Sequence, residues 1–194
     1  MKMQESKYVI ISVMGPHAGE GEDEIFRRKS NDIKVVGRTF WFIKSRNAKP
    51  NMVQAICNYA YKKGYDVPCI FIEPSSTGSS TPTKTSNSAE MYSSDNVIWS
   101  IFPKRLSRVT GNIDGSACAL VFDELRIEQG ELDLWKYADF FKPSMPLRIM
   151  RGASTLCAIQ RDMSRLTDSE KVKSHFRRIV AIGRLREPYG VWLR

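Results

Sequence analysis

Carboxylates crowd the segment that follows the first apolar run of the chain. His17, Glu20, Glu22, Asp23 and Glu24 stand there beside Gly15, Gly19 and Gly21. Oxygen ligands of this kind suit a hard divalent ion such as Mg²⁺, and glycines let backbone amides approach a phosphate at a helix start. The segment lacks the Lys and Ser/Thr of a Walker A loop and does not match GxGxxG, and its acids repel phosphate, so a solvated turn is the stronger reading. A metal-dependent enzyme acting on nucleic acid or nucleotide through residues 15–24 would need further carboxylates at strand ends. Glu73, Asp123 and Glu124 are the ones available, with Lys44 or Arg126 to stabilise charge. No Lys lies two residues after Glu124, so the acid-acid-lysine arrangement of metal-dependent nucleases is not met. Mg²⁺ enters only with this alternative; no cofactor is expected otherwise.

A second chemistry is suggested by Arg38 to Lys49, RTFWFIKSRNAK, where aromatics alternate with cations. In a strand, Trp41 points opposite to Phe40 and Phe42. A Trp41 left outside the core, next to Lys44 and Arg46, could stack on a nucleobase while the cations hold the backbone. The competing expectation is that all three rings are core, because a strand covered on both faces is apolar throughout.

The strongest signal is charge. The chain carries a formal net charge of +9 over 194 residues, and Lys142 to Arg194 holds twelve Lys and Arg against four Asp and Glu. Arg148, Arg151, Arg161, Arg165, Lys171, Lys173, Arg177 and Arg178 are spaced among apolar residues there, and Lys104, Arg105 and Arg108 could extend the patch. A basic surface fixed on a folded scaffold attracts polyanions, because each neutralised phosphate releases condensed counterions. Nucleic-acid binding, DNA or RNA, is therefore the leading expectation, with these cations on phosphates and Trp41 as a stacking residue. The alternatives are the metal-dependent enzyme above and an interaction protein whose basic face meets an acidic protein partner.

Other chemistries have little support. There are two histidines, His17 and His175, and no GxSxG turn, so a nucleophile has few bases to activate it. Cys57, Cys69, Cys118 and Cys157 are scattered through apolar contexts with no CxxC pair, which reads as buried thiols and not as zinc ligands or a disulfide framework. No apolar stretch reaches the roughly 18 residues of a membrane span. The amino terminus lacks a signal-peptide pattern, and a soluble cytoplasmic protein is expected.

One domain over 1–194 is expected, α/β or α+β, with a mixed β-sheet. Tyr8 to Met14 reads as a strand, Glu22 to Lys29 as a short helix and Ile33 to Lys44 as a second strand. Pro50 starts a helix that ends at Lys62, Lys63 and Gly64, and Val67 to Ile72 is the next strand. Strand, helix and strand from Ile33 to Ile72 predict a parallel crossover unit near the amino terminus. Residues 75–95 read as a mobile Ser/Thr-rich loop, and Val97 to Phe102 and Ala117 to Ile127 as an antiparallel pair of strands. Glu131 to Phe141 has helix-compatible spacing. Thr167 to Glu170 fits a capping box opening a helix to about Ile179, so residues 142–194 are expected to form a basic, helical segment packed on the sheet. Tyr189 to Leu193 would close the chain as an edge strand or docking tail.

Overall fold

The computed structural model describes residues 6–14, 21–43, 47–74, 91–92, 118–147 and 155–193. Tyr8–Val13 forms strand β1 and Pro68–Ile72 forms β3, and every residue of both is buried. Unbroken apolar runs of this kind belong to strands covered on both faces. The two lie parallel, with Ile10 opposite Cys69 and Val13 opposite Ile72. The chain between them supplies helix α1 (Glu22–Val36), strand β2 (Thr39–Ile43) and helix α2 (Pro50–Tyr61).

The parallel pair is thus β1 with β3, not the unit expected between Ile33 and Ile72. Ile33 to Val36 finish α1, and Gly37, at φ +76°, caps the helix by donating to the Ile33 carbonyl at 2.8 Å. α1 runs past Lys29 because its inner face holds satisfied polar groups as well as apolar ones. Lys29 donates to the Phe40 carbonyl, and buried Asp32 accepts from the Thr39 hydroxyl at 2.8 Å. Burial pushes the Asp32 carboxyl above its usual range, partly offset by that hydrogen bond.

Cys118–Asp133 forms β5, Tyr137–Asp139 β6, Lys142–Pro146 β7, Thr155–Gln160 β8 and Phe176–Leu193 β9. One mixed sheet results, ordered β2-β5-β9-β3-β1-β8-β6-β7, with the two-residue β4 (Met91–Tyr92) against β9. α1 and α2 pack on one face through Ile25, Phe26, Val53, Ile56 and Ala60, meeting Tyr8, Ile10, Phe71 and Leu120. On the other face Val9, Ile11, Ile70 and Ile72 cluster with Leu132, Leu134, Tyr137 and Leu147. The α/β class and the mixed sheet are as the sequence suggests. Among the described residues no helix is long and apolar enough to cross a membrane. All four thiols are buried and free, and burial pushes those of Cys57 and Cys118 up to about 12.

Two helices read from the sequence are mostly strand. Glu131 to Phe141 comprises the end of β5, a 3-10 turn at Leu134–Lys136, and β6. Apolar Leu132 and Leu134 alternate with acidic Glu131 and Asp133, a period of two in polarity that fits a strand, although Asp133 is buried as well. The carboxyl-terminal capping box does form, but its helix α3 is the single turn Asp168–Lys171. Beyond it a helix would bury only a stripe, whereas β9 buries Ile179, Val180, Ala181 and Ile182 consecutively between β3 and β5. The described residues of 142–194 are therefore chiefly β. Tyr189 to Leu193 belongs to β9 and pairs with β5 and β4, so it is no edge strand.

Gly183 marks the tightest crossing in this core. A Cβ there would sit 2.5 Å from Phe122 Cδ1 and 2.9 Å from Leu125 Cδ2. The Phe122 ring is fully buried and cannot swing away. Gly183→Ala is expected to cost about 1–3 kcal/mol, the range for overpacked cores. Urea unfolding checks this, and an unchanged midpoint would mean that β5 and β9 separate more easily than the packing implies.

Candidate nucleic-acid interface

Among the described residues, the basic positions named from the sequence fall into separate groups. Arg161, Arg165, Lys171 and Lys173 come together in a lobe built on the 3-10 turn at Leu134–Lys136, a second 3-10 turn at Met163–Arg165, and α3. Its centre is Trp135. Asp133, largely buried, accepts from the backbone amides of Trp135 at 3.1 Å and His175 at 2.8 Å, which ties the turn to the chain entering β9. The Trp135 indole N–H donates to the Glu170 carbonyl at 2.8 Å.

Arg161 is the structural cation of the lobe. Its side chain is only 9% exposed, its guanidinium lies 4.9 Å from the centre of the Trp135 ring, and it reaches the Trp135 carbonyl at 3.3 Å and the Glu170 carboxylate at 3.4 Å. Lys173 Nζ lies 5.4 Å from the same ring. Cations placed over indole are held by its quadrupole. Trp135 therefore already carries two cations.

Lys136, Arg165, Lys171 and Lys173 are exposed. Arg165 pairs with Asp162 and Lys171 with Asp168, each at 3.1 Å and three residues apart. Exposed pairs of this kind hold their partners weakly, so both cations stay available to an outside anion. Together with Lys7, whose field reaches Asp162, and Arg161, these cations outnumber the lobe's carboxylates Asp133, Asp162, Asp168 and Glu170.

Glu170 closes the lobe from below. Its carboxylate accepts from the Thr167 amide at 3.1 Å and the Thr167 hydroxyl at 2.9 Å, and those bonds, with Arg161, hold it below the usual carboxylate range. A lowered acid contributes stability above its unfolded value and loses it as pH falls through the folded value. The wild type is therefore expected to lead Glu170→Gln in urea midpoint at neutral pH, with the gap closing on acidification. A gap that stays constant with pH would show that the carboxylate charge does not matter.

Arg177, Arg178, Arg184 and Arg186 are engaged elsewhere. Arg177 donates to the Glu73 carbonyl, and Arg178 Nε meets the Glu73 carboxylate at 2.8 Å, which raises the pKa of Arg178. Arg184 Nε lies 2.8 Å from Asp123 and its Nη1 3.3 Å from Glu124, with Arg186 at 3.9 Å from Asp123. The strand-end carboxylates that a metal site would have required are thus drawn into ion pairs, and among the described residues no three His, Cys, Asp or Glu side chains cluster around a common point. Glu22, Asp23 and Glu24 make the acidic first turn of α1, where Glu24 accepts from the Gly21 amide at 2.9 Å.

Trp41 is half-buried, with its ring 4.6 Å from that of Phe71, on the helix-covered side of the sheet. Five strand-to-strand steps separate β2 from β8, which places Trp41 and Arg161 about 24 Å apart across the sheet. Lys44, Arg46, Lys104, Arg105, Arg108, Arg148 and Arg151 lie outside the described residues, as do residues 15–20, 75–90 and Val97 to Phe102. His175 precedes β9 and is not on a helix; its Nε2 is buried with no hydrogen-bond partner among the described residues. Trp135 and Lys136 were absent from the sequence-based site. Their signal was the same Leu132/Leu134 alternation, which ends β5 just before them.

Comparison of the chain with protein-family models, with curated proteins and with solved structures finds no match.

Proposed function

We propose that the protein binds nucleic acid in the cytoplasm through the lobe centred on Trp135, with Lys136, Arg165, Lys171 and Lys173 on phosphates. The observation that carries this reading is their grouping: four exposed cations stand around the Trp135–Arg161 contact, and the two that are paired, Arg165 and Lys171, meet only exposed carboxylates. Arg161 and Trp135 hold the lobe's shape and are positioning residues. Phosphate contacts of this kind fix register and supply affinity but carry no sequence information, so binding is broad in sequence.

Titration of labelled single-stranded and duplex DNA and RNA, followed by fluorescence polarisation at several salt concentrations, tests the reading. Log affinity should fall linearly with log salt for unrelated sequences. Absence of binding at low salt would end it. Running the same samples on a gel with Mg²⁺ separates a binder, which leaves the oligonucleotide intact, from a metal-dependent enzyme, which cuts it.

A further inference from the structure

β5 is paired along its length by β9, but on its other side β2 covers it only as far as Phe122, where Thr39 lies opposite. Among the described residues the edge from Glu124 to Gly130 has no strand beside it. An open edge of this length is a template for another strand. On its helix side a groove of about 420 Å³ runs between the edge and α1, lined by Asp23, Phe26, Arg27, Ser30 and Ile127. Ile127 is 63% exposed on this edge.

We propose that a second copy of this chain occupies that edge, β5 against β5, in an antiparallel twofold dimer centred on Ile127. Charge selects both the partner and the register. A twofold interface sets each residue against its symmetry counterpart, so a centre at Ile127 places Arg126 of each copy opposite Glu128 of the other. Within one chain these two side chains already lie 3.4 Å apart, so the dimer exchanges the intrachain pair of each copy for two interchain pairs, and the charges act by fixing the register. Sliding the register by two residues in either direction sets Arg126 against Arg126, or Glu128 against Glu128. Asp23 and Arg27, one turn apart on the groove wall, repeat the self-complementary pattern, and the incoming Ile127 finds an apolar neighbour in Phe26.

Sedimentation equilibrium over a wide concentration series, without nucleic acid, tests the dimer independently of the binding function. The wild type should pass from monomer to dimer as concentration rises. Ile127→Asp should stay monomeric, and Arg126→Glu or Glu128→Arg alone should weaken association by about tenfold or more, since like charges then face each other twice. The double variant R126E/E128R should recover it. All three positions are solvent-accessible, so circular dichroism should report the wild-type fold throughout. A wild type that stays monomeric, a dimer indifferent to Ile127→Asp, or a double variant that fails to recover would each overturn the proposal.

Discussion

Alanine at Lys136, Lys171 and Lys173 together is expected to flatten the salt dependence of nucleic-acid binding by about 2.7 in log-log slope on duplex and about 2.1 on single strands. These figures follow from about 0.9 and 0.7 per lost phosphate contact. The three side chains are exposed, and none takes part in the hydrogen bonds that hold Asp133, Trp135, Arg161 and Glu170 together. The variant should therefore unfold at about the wild-type midpoint while losing affinity to every sequence alike. Arg184→Ala serves as the control: that guanidinium is committed to Asp123 and Glu124, far along β9 from the lobe, and its loss should leave the slope unchanged. An unaltered slope in the triple variant would move the phosphate contacts away from this lobe.

Phe71→Ala is expected to be the most destabilising single core substitution considered, at about 3–5 kcal/mol. Phe71 is fully buried in the middle of β3, and its ring meets Trp41 at 4.6 Å, Phe122 at 5.8 Å and Phe26 at 6.3 Å between centroids. It thus joins α1, the edge strand β2 and the central strand β5 in one contact set. Those elements cannot all collapse into the space a benzyl group leaves, because each is held by its own strand or helix hydrogen bonds. A domain with typical stability of about 5–15 kcal/mol would lose a large share of it. Urea denaturation gives the number, and a cost near 1 kcal/mol would mean that Trp41 can close the gap.

The same contact places Trp41, read from the sequence as a base-stacking residue, half-buried beside Phe71. Alternation along TFWFI does set Trp41 against its neighbours, but nothing in the sequence tells which side of β2 the helices cover. The helix-covered side is the one that Trp41 faces. Local rules served well where they had a local cause: Pro50 starts α2, Thr167 and Glu170 cap α3, and the unbroken apolar runs at β1 and β3 are strands buried on both faces.

They failed where pairing decided the outcome. Ile179 to Ile182 satisfies a helical stripe or a strand equally well until β3 and β5 arrive on either side, and only then does β9 win. Charge showed a related limit. The excess of bases after Lys142 was legible, but not that Glu73, Asp123 and Glu124 come from elsewhere in the chain to meet Arg178 and Arg184, so part of that excess is paired locally. The lobe at Trp135 was not legible either, because its position depends on where β5 ends.

Photo-crosslinking of the wild-type protein to a labelled oligonucleotide, with mass spectrometry of the joined peptide, tests the central claim most directly. The account predicts crosslinks in the peptides that carry Trp135–Lys136 and Arg161–Lys173, lost when salt is raised. Crosslinks confined to other parts of the chain, or none at low salt, would contradict it.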